Sequence, residues 1–180
     1  MRELTVTEKD CAQQLIKYLS KYMEEAPKSF FYKMLRKKNI VLNQKKADGS
    51  EKLKTGDTIR LYLAEETIEK FRKTPEKPAA GKQVKKLDIV YEDEKVIFLN
   101  KPAGVLSQKA KETDVSLTEA LGAYLSEKNA GEETMFRAGL CNRLDRNTSG
   151  LILAGKTVAA TQQLSELIAE RAVGKYYLTV

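Results

Sequence analysis

Apolar residues first recur at helical spacing between Cys11 and Met23, where Leu15, Ile16, Leu19 and Met23 share one side, and this predicts a helix. Pro27-Lys28-Ser29 follows as a second start signal, with Ser29 a possible cap. Phe30, Phe31, Met34 and Leu35 then make the apolar side of a short helix whose other side holds Lys33, Arg36 and Lys37. Ile40 to Leu42 reads as a strand, and a polar turn runs from Asn43 to Ser50. Thr55-Gly56-Asp57 is another turn. Thr58 to Leu63 alternates as a closing strand, with Ile59, Leu61 and Leu63 on one face.

The stretch from Ala64 to Val84 breaks the pattern. It is charged, contains Pro75 and Pro78, and offers few core residues, which is linker composition. The chain therefore divides into a front unit over 1–64, a linker over 65–84 and a rear unit over 85–180. In the rear unit Ile89 to Tyr91 and Val96 to Leu99 read as two strands joined by a hairpin turn at Asp93-Glu94. Asn100-Lys101-Pro102-Ala103-Gly104 forms a turn. Leu117 to Leu125 is helical, Asn129 to Thr134 is a polar loop, and Leu151 to Leu153 is a buried strand. Val158 to Ala172 is an amphipathic helix with Leu164, Leu167 and Ile168 inward. Lys175 to Val180 is an apolar strand that ends without cap or turn, as a cut sequence would.

Composition narrows the chemistry. Of 180 residues 42 % are hydrophobic, enough for packed cores, and 32 % are charged. The net charge of +7 is uneven: Lys28, Lys33, Arg36, Lys37, Lys38, Lys45 and Lys46 fall in one stretch, and no acid lies between Glu25 and Asp48. Such a field suits a polyphosphate backbone, although a charge run is also what a solvated face looks like. Histidine is absent, which excludes Ser-His-Asp and Cys-His catalysis and imidazole metal sites. Cys11 and Cys141 are far apart and read as reduced thiols. No apolar signal core or membrane-length run is present, so a soluble, cytoplasmic protein is expected.

One segment stands out. In Cys141-Asn142-Arg143-Leu144-Asp145-Arg146-Asn147-Thr148-Ser149-Gly150 an acid lies between arginines, just ahead of a buried strand. Neighbouring cations favour an ionised carboxylate, and a fixed carboxylate at a strand edge can act as a nucleophile. Thr148, Ser149 and Gly150 can tighten the loop by local hydrogen bonds. A structural turn held by ion pairs accounts for the same residues. The sequon Asn147-Thr148-Ser149 means nothing without a secretory signal.

Arg143 to Leu151 resembles the R-L-D-x-x-T-S-G-L signature of RluA-type RNA pseudouridine synthases. Tyr91-Glu92-Asp93 followed by Asn100-Lys101-Pro102-Ala103-Gly104 resembles that family's opening hairpin. Arg171-Ala172-Val173-Gly174-Lys175-Tyr176-Tyr177 resembles its later R-x-V-x-K-x-Y element. Together the three cover roughly residues 84 to 180. Residues 11 to 63, above all Ser29 to Leu42, resemble the S-four-like RNA-binding domain that often precedes such a catalytic domain.

The resemblance implies a small α+β front unit and an α+β rear unit with a mixed, mainly antiparallel sheet. It implies isomerisation of uridine to pseudouridine in ribosomal or transfer RNA, without cofactor or metal, by a monomer. Asp145 matches the catalytic aspartate, Arg143 the arginine that fills the gap left by a flipped base, and Tyr177 the tyrosine that lies against the uracil. Asn142 and Arg146, with Lys28, Ser29, Lys33, Arg36, Lys37 and Lys38 in front, are expected RNA contacts. Lys101, Pro102, Gly104, Thr148, Ser149 and Gly150 are expected to shape the site. Asn142 stands where the family usually has histidine. The family's later G-R-x-H-Q-I-R segment, whose arginine pairs with the aspartate, does not occur within these 180 residues, so they are expected to be inactive alone. Two other classes fit parts of the pattern: a non-catalytic RNA-binding protein, and an unrelated enzyme with an aspartate nucleophile.

Overall fold

The computed structural model describes residues 1–72, 87–111, 114–129 and 136–178, and the chain separates into two compact units. The first unit begins with β1 (Arg2–Thr5), α1 (Leu15–Tyr22) and α2 (Lys28–Arg36). It continues through β2 (Ile40–Leu42), β3 (Lys45–Lys46), β4 (Thr58–Leu61) and α3 (Glu65–Phe71). Its sheet runs β1-β4-β2-β3, every pair antiparallel. Leu15, Leu19, Phe31, Leu35, Ile40, Ile59 and Leu61 form its core.

Local chemistry moves several boundaries. The helix expected from Cys11 starts only at Leu15. Ala12 takes a left-handed φ of 66°, and the Ala12 and Leu15 amides donate to the Leu53 and Glu51 carbonyls, so the segment pairs sideways before it coils. Ser29 is not the cap of α2. Pro27 holds the extended conformation ahead of Lys28, leaving Ser29 exposed inside the first turn. Asn43 and Gln44 both have positive φ, 49° and 63°, and turn β2 tightly into β3 within the stretch expected to be one polar turn.

Two elements arise where none was expected. β1 pairs with β4 through Arg2↔Leu61 to Thr5↔Thr58, placing Leu4 in the core. The first part of the expected linker is α3. Its first turn carries Glu65 and Glu66, its last Lys70, matching the helix dipole, and a single fully buried residue, Ile68, anchors it. The Phe71 ring meets that of Phe30 at 5.0 Å. Residues 73–86 lie outside the described residues.

The second unit contains β5 (Ile89–Glu92), β6 (Val96–Lys101), α4 (Leu117–Lys128), β7 (Gly139–Leu140), β8 (Gly150–Gly155) and α5 (Val158–Ala169). Its sheet runs β5-β6-β8-β7. All its ladders are antiparallel, and the parallel component is the isolated Leu106↔Ser116 bridge. Asp93 Oδ1 accepts from the Lys95 and Val96 amides at 2.7 Å and shapes the β5–β6 turn. Alternation along β6 sends Ile97, Leu99 and Lys101 inward, where the first two meet Ile152, Ala154 and the α4 residues Leu117, Leu121 and Leu125.

The C-terminal expectations change most. α5 stops at Ala169 because Arg171 adopts a left-handed φ of 59° and the Ala172 amide turns back to the Leu167 carbonyl. Val158 and Ala160 are its buried residues, whereas Leu164 and Ile168 are half-buried and Leu167 is exposed. Of the strand expected over Lys175 to Val180, Lys175 to Leu178 is exposed and joins no ladder among the described residues, and 179–180 lie outside them. The loop expected over 129–134 lies, past Asn129, outside the described residues. No helix among the described residues is long and apolar enough to cross a membrane.

One polar cluster braces this sheet. Glu92 accepts from Tyr124 Oη at 2.7 Å, Lys128 Nζ at 2.8 Å and Lys156 Nζ at 2.7 Å, joining β5 to α4 and to the turn after β8. Burial acts to raise the Glu92 pKa. The hydrogen bonds from Lys128, Lys156 and Tyr124 outweigh it and bring the group down to about 2, against the usual 4.5. A carboxyl lowered on folding stabilises the protein fully above its unfolded pKa and loses that contribution as pH falls toward the folded value. Stability should therefore drop as pH falls from about 4.5 to about 2. Glu92→Gln should cost about 1–2 kcal/mol at neutral pH and make that acid drop shallower. Thermal melts across this pH range check both; an equally steep drop in the variant contradicts the assignment.

Candidate active site

Asp145 sits in the loop between β7 and β8, and its immediate neighbours on both sides are tied down. Before it, the buried Ser107 hydroxyl donates to the Leu144 carbonyl at 2.7 Å and accepts from the Leu144 amide at 3.2 Å. After it, the Arg146 carbonyl accepts from Lys101 Nζ at 3.2 Å and from the Gly104 amide at 2.8 Å. Arg146 Nε returns a bond to the Gly104 carbonyl at 3.2 Å. Thr148 closes the turn by donating its amide to the Asp145 carbonyl at 3.1 Å. The carboxylate itself is on an exposed residue.

Lys101 is the unusual member. It continues the inward row of Ile97 and Leu99, yet it carries an ammonium and is fully buried. Its Nζ donates to the carbonyls of Pro102 at 3.2 Å, Val105 at 2.8 Å and Arg146 at 3.2 Å, using all three protons. Desolvation lowers its pKa, and the field of Asp145 works in the opposite direction. Gly104 has a φ of +86°, which lets the Pro102–Val105 turn fold over the ammonium.

The other expected residues distribute unevenly. Arg143 is exposed and lines an open groove of about 1660 Å³ together with Asp145, Arg146, Thr148, Ser149, Gly150 and Tyr177. Tyr177 is exposed within this groove, as is its neighbour Tyr176. Neither guanidinium forms an ion pair with Asp145, and Arg146 is turned to Gly104. The arginine clasp read from the sequence is absent among the described residues, and the loop is held instead through Lys101 Nζ on the Arg146 carbonyl. Asn142 also has a structural role. Its Nδ2 donates to the Leu151 carbonyl at 3.0 Å and its Oδ1 accepts from the Leu153 amide at 2.8 Å, extending the β7–β8 pairing through a side chain. Pro102 is exposed at the turn. Gly150, with φ +136°, reverses the chain into β8.

Ser107 was not legible as a site residue. A lone serine after the Gly104 turn carries no motif, and its role depends on carbonyls distant in sequence. It also accepts at its carbonyl from Thr118 Oγ1 at 2.9 Å, coupling the Asp145 loop to the start of α4.

In the first unit Lys28, Ser29, Lys33, Arg36, Lys37 and Lys38 are all exposed, as are Lys45 and Lys46 on β3. Among the described residues none of these seven cations forms an ion pair. The charge run is an open cationic surface on α2 and the adjoining hairpin.

Fold and site together define an α+β scaffold that presents one carboxylate on a braced loop beside an open groove. Residues 95–180 match the family model described as RNA pseudouridylate synthase. Curated relatives named ribosomal large subunit pseudouridine synthase C match almost the whole chain. The protein from Haemophilus influenzae is 31 % identical over 100 % of this chain and 53 % of its own length. That from Rickettsia bellii is 32 % identical over 94 % and 55 %, and that from Escherichia coli 31 % over 98 % and 53 %. The chain spans about half the length of these relatives. A solved human structure titled RNA pseudouridylate synthase domain containing 4 overlaps 47 % of this chain and 30 % of its own, at 24 % identity and a TM-score of 0.40. The chain belongs to the RNA pseudouridine synthase family, of the RluA type that its motifs resemble.

Replacing Lys101 with Met keeps the apolar stem but removes the donor, leaving the Pro102 and Val105 carbonyls without their partner. The variant should lose about 1–3 kcal/mol of stability, and the Gly104 and Thr148 amides should exchange faster with solvent. Calorimetry and hydrogen exchange read both, and unchanged exchange at these amides would remove Lys101 as the brace.

Proposed function

We propose that this protein isomerises uridine to pseudouridine in structured RNA, ribosomal or transfer, with Asp145 as the catalytic nucleophile. The observation that carries the reading is the Asp145 carboxylate, braced through both neighbouring residues and exposed in a groove shared with Arg143 and Tyr177, within the segment matched to the family. The reaction cleaves the uracil–ribose bond and rejoins the base through a ring carbon, so no net oxidation is needed. The target nucleotide has to leave its stack to reach such a groove. Arg143, exposed and without an ion pair among the described residues, would occupy the space the base vacates. Tyr177 supplies a ring for the extruded uracil and a hydroxyl that can move a proton. The loop bracing matters because a nucleophile displaced by about 1 Å costs orders of magnitude in rate. This reading places the protein in the cytoplasm as a monomer, without cofactor or metal.

The test is pseudouridine mapping of cellular RNA from strains carrying the wild-type gene or Asp145→Ala. At least one uridine should lose its modification in the variant. An unchanged map would refute the enzyme and leave a non-catalytic RNA-binding protein.

The cationic surface of the first unit supports RNA binding by the same protein. Lys33, Arg36 and Lys37 are exposed and have no acidic partner among the described residues, so phosphates can neutralise them with release of counterions. Reversing these three charges should weaken RNA binding and lower the slope of log affinity against log salt by up to about 3. Filter binding at several salt concentrations measures it, and an identical slope excludes this face.

A further inference from the structure

The cations of α2 surround an aromatic side chain that the fold does not use. Tyr32 lies one helical turn after Lys28 and Ser29 and one before Arg36, all exposed, and Lys33 next in the chain is exposed too. It is 49 % exposed. Its ring makes no aromatic or cation–π contact, and its hydroxyl makes no hydrogen bond among the described residues. The other aromatics of this unit serve other ends. Phe31, Tyr18 and Tyr22 are buried, and Phe30 and Phe71 pack on each other. Tyr62, though exposed, follows Arg60 on β4 and interacts with it. Keeping a large ring half in water forgoes the burial that a core position would give. In the middle of a cationic strip it has a use: the cations hold a phosphate backbone while a flat ring accepts a base, the combination by which proteins hold unpaired nucleotides.

We propose that Tyr32 is a stacking site for an unpaired RNA base, so that the α2 surface selects looped or single-stranded RNA over continuous duplex. This rests on the reading of the cationic surface as an RNA face and adds a preference that charge alone cannot supply. Phosphates are present in duplex and loop alike, whereas base faces are accessible only where stacking is interrupted.

The experiment compares the full chain with Tyr32→Ala, Tyr32→Phe and the triple charge reversal at Lys33, Arg36 and Lys37. Each is titrated with a stem-loop RNA carrying 2-aminopurine in its loop and with a blunt, fully paired RNA of equal length. Wild type should favour the stem-loop and quench the probe. Tyr32→Ala should bind the stem-loop roughly 5- to 20-fold more weakly and lose the quenching, bind the duplex nearly as before, and keep its salt slope and melting temperature. Tyr32→Phe keeps the ring and should behave as wild type. If charge reversal weakens binding to both RNAs while Tyr32→Ala leaves the loop preference and the quenching intact, the stacking site is wrong and the RNA face stands. If charge reversal changes neither affinity, the RNA face itself is wrong and the stacking site falls with it.

Discussion

The arrangement of the second unit depends on a buried ammonium group. A charged amine taken out of water is costly unless every proton finds an acceptor. Lys101 meets that condition with three backbone carbonyls from two separate stretches of chain. Two of them lie in the turn that follows β6, and the third belongs to Arg146. The cost of leaving the amine unsatisfied therefore acts as a constraint on geometry: the turn must fold over the end of β6, and the loop carrying Asp145 must come to it. A surface lysine, free to swing into water, would impose neither condition.

Ser107 extends the constraint to the other side of Asp145. Its hydroxyl both donates to and accepts from Leu144, while its own carbonyl receives the Thr118 hydroxyl at the start of α4. The carboxylate is thus held by backbone bonds at the preceding and following residues while its own oxygens are left for chemistry. An acid locked in an arginine clasp, as the flanking guanidiniums first suggest, would be a less available nucleophile. The structure separates the tasks: Lys101 and Ser107 position, Arg146 ties its own side chain to Gly104, and Asp145 and Arg143 stay open to the groove.

Much of this fold could be read from periodicity, and the exceptions have identifiable causes. α2, β2, β4, the β5–β6 hairpin and α4 each carry several apolar residues at one period, and they form close to where the pattern puts them. α3 carries one buried residue, Ile68, in a charged stretch, too little for a pattern to register. β1 offers only Leu4 to the core, and its existence depends on β4, more than fifty residues away. The opposite error occurs at Lys175 to Leu178, where β-prone residues read as a strand. A strand needs a partner, and among the described residues none pairs with it. Within the site, the carboxylate and its motif were visible, but the braces were not, because their acceptors are main-chain carbonyls that every residue possesses. Asn142 shows the same limit: its composition fits an RNA contact, and its bonds to Leu151 and Leu153 could not be read from the sequence.

On the proposed function the two units answer different demands on specificity. A cationic surface attracts any RNA, and its attraction weakens with salt. A braced carboxylate discriminates only after a nucleotide has been drawn out of its stack, a step that costs a few kcal/mol and is least expensive where pairing is already broken. Long-range attraction without some recognition of unpaired bases would deliver mostly duplex, on which the groove has no accessible target. The stacking site proposed at Tyr32 on α2 would address that gap. Under the stacking proposal it would add a short-range term favouring the regions of RNA in which a uridine can be extruded, at a position where the fold leaves the ring half exposed.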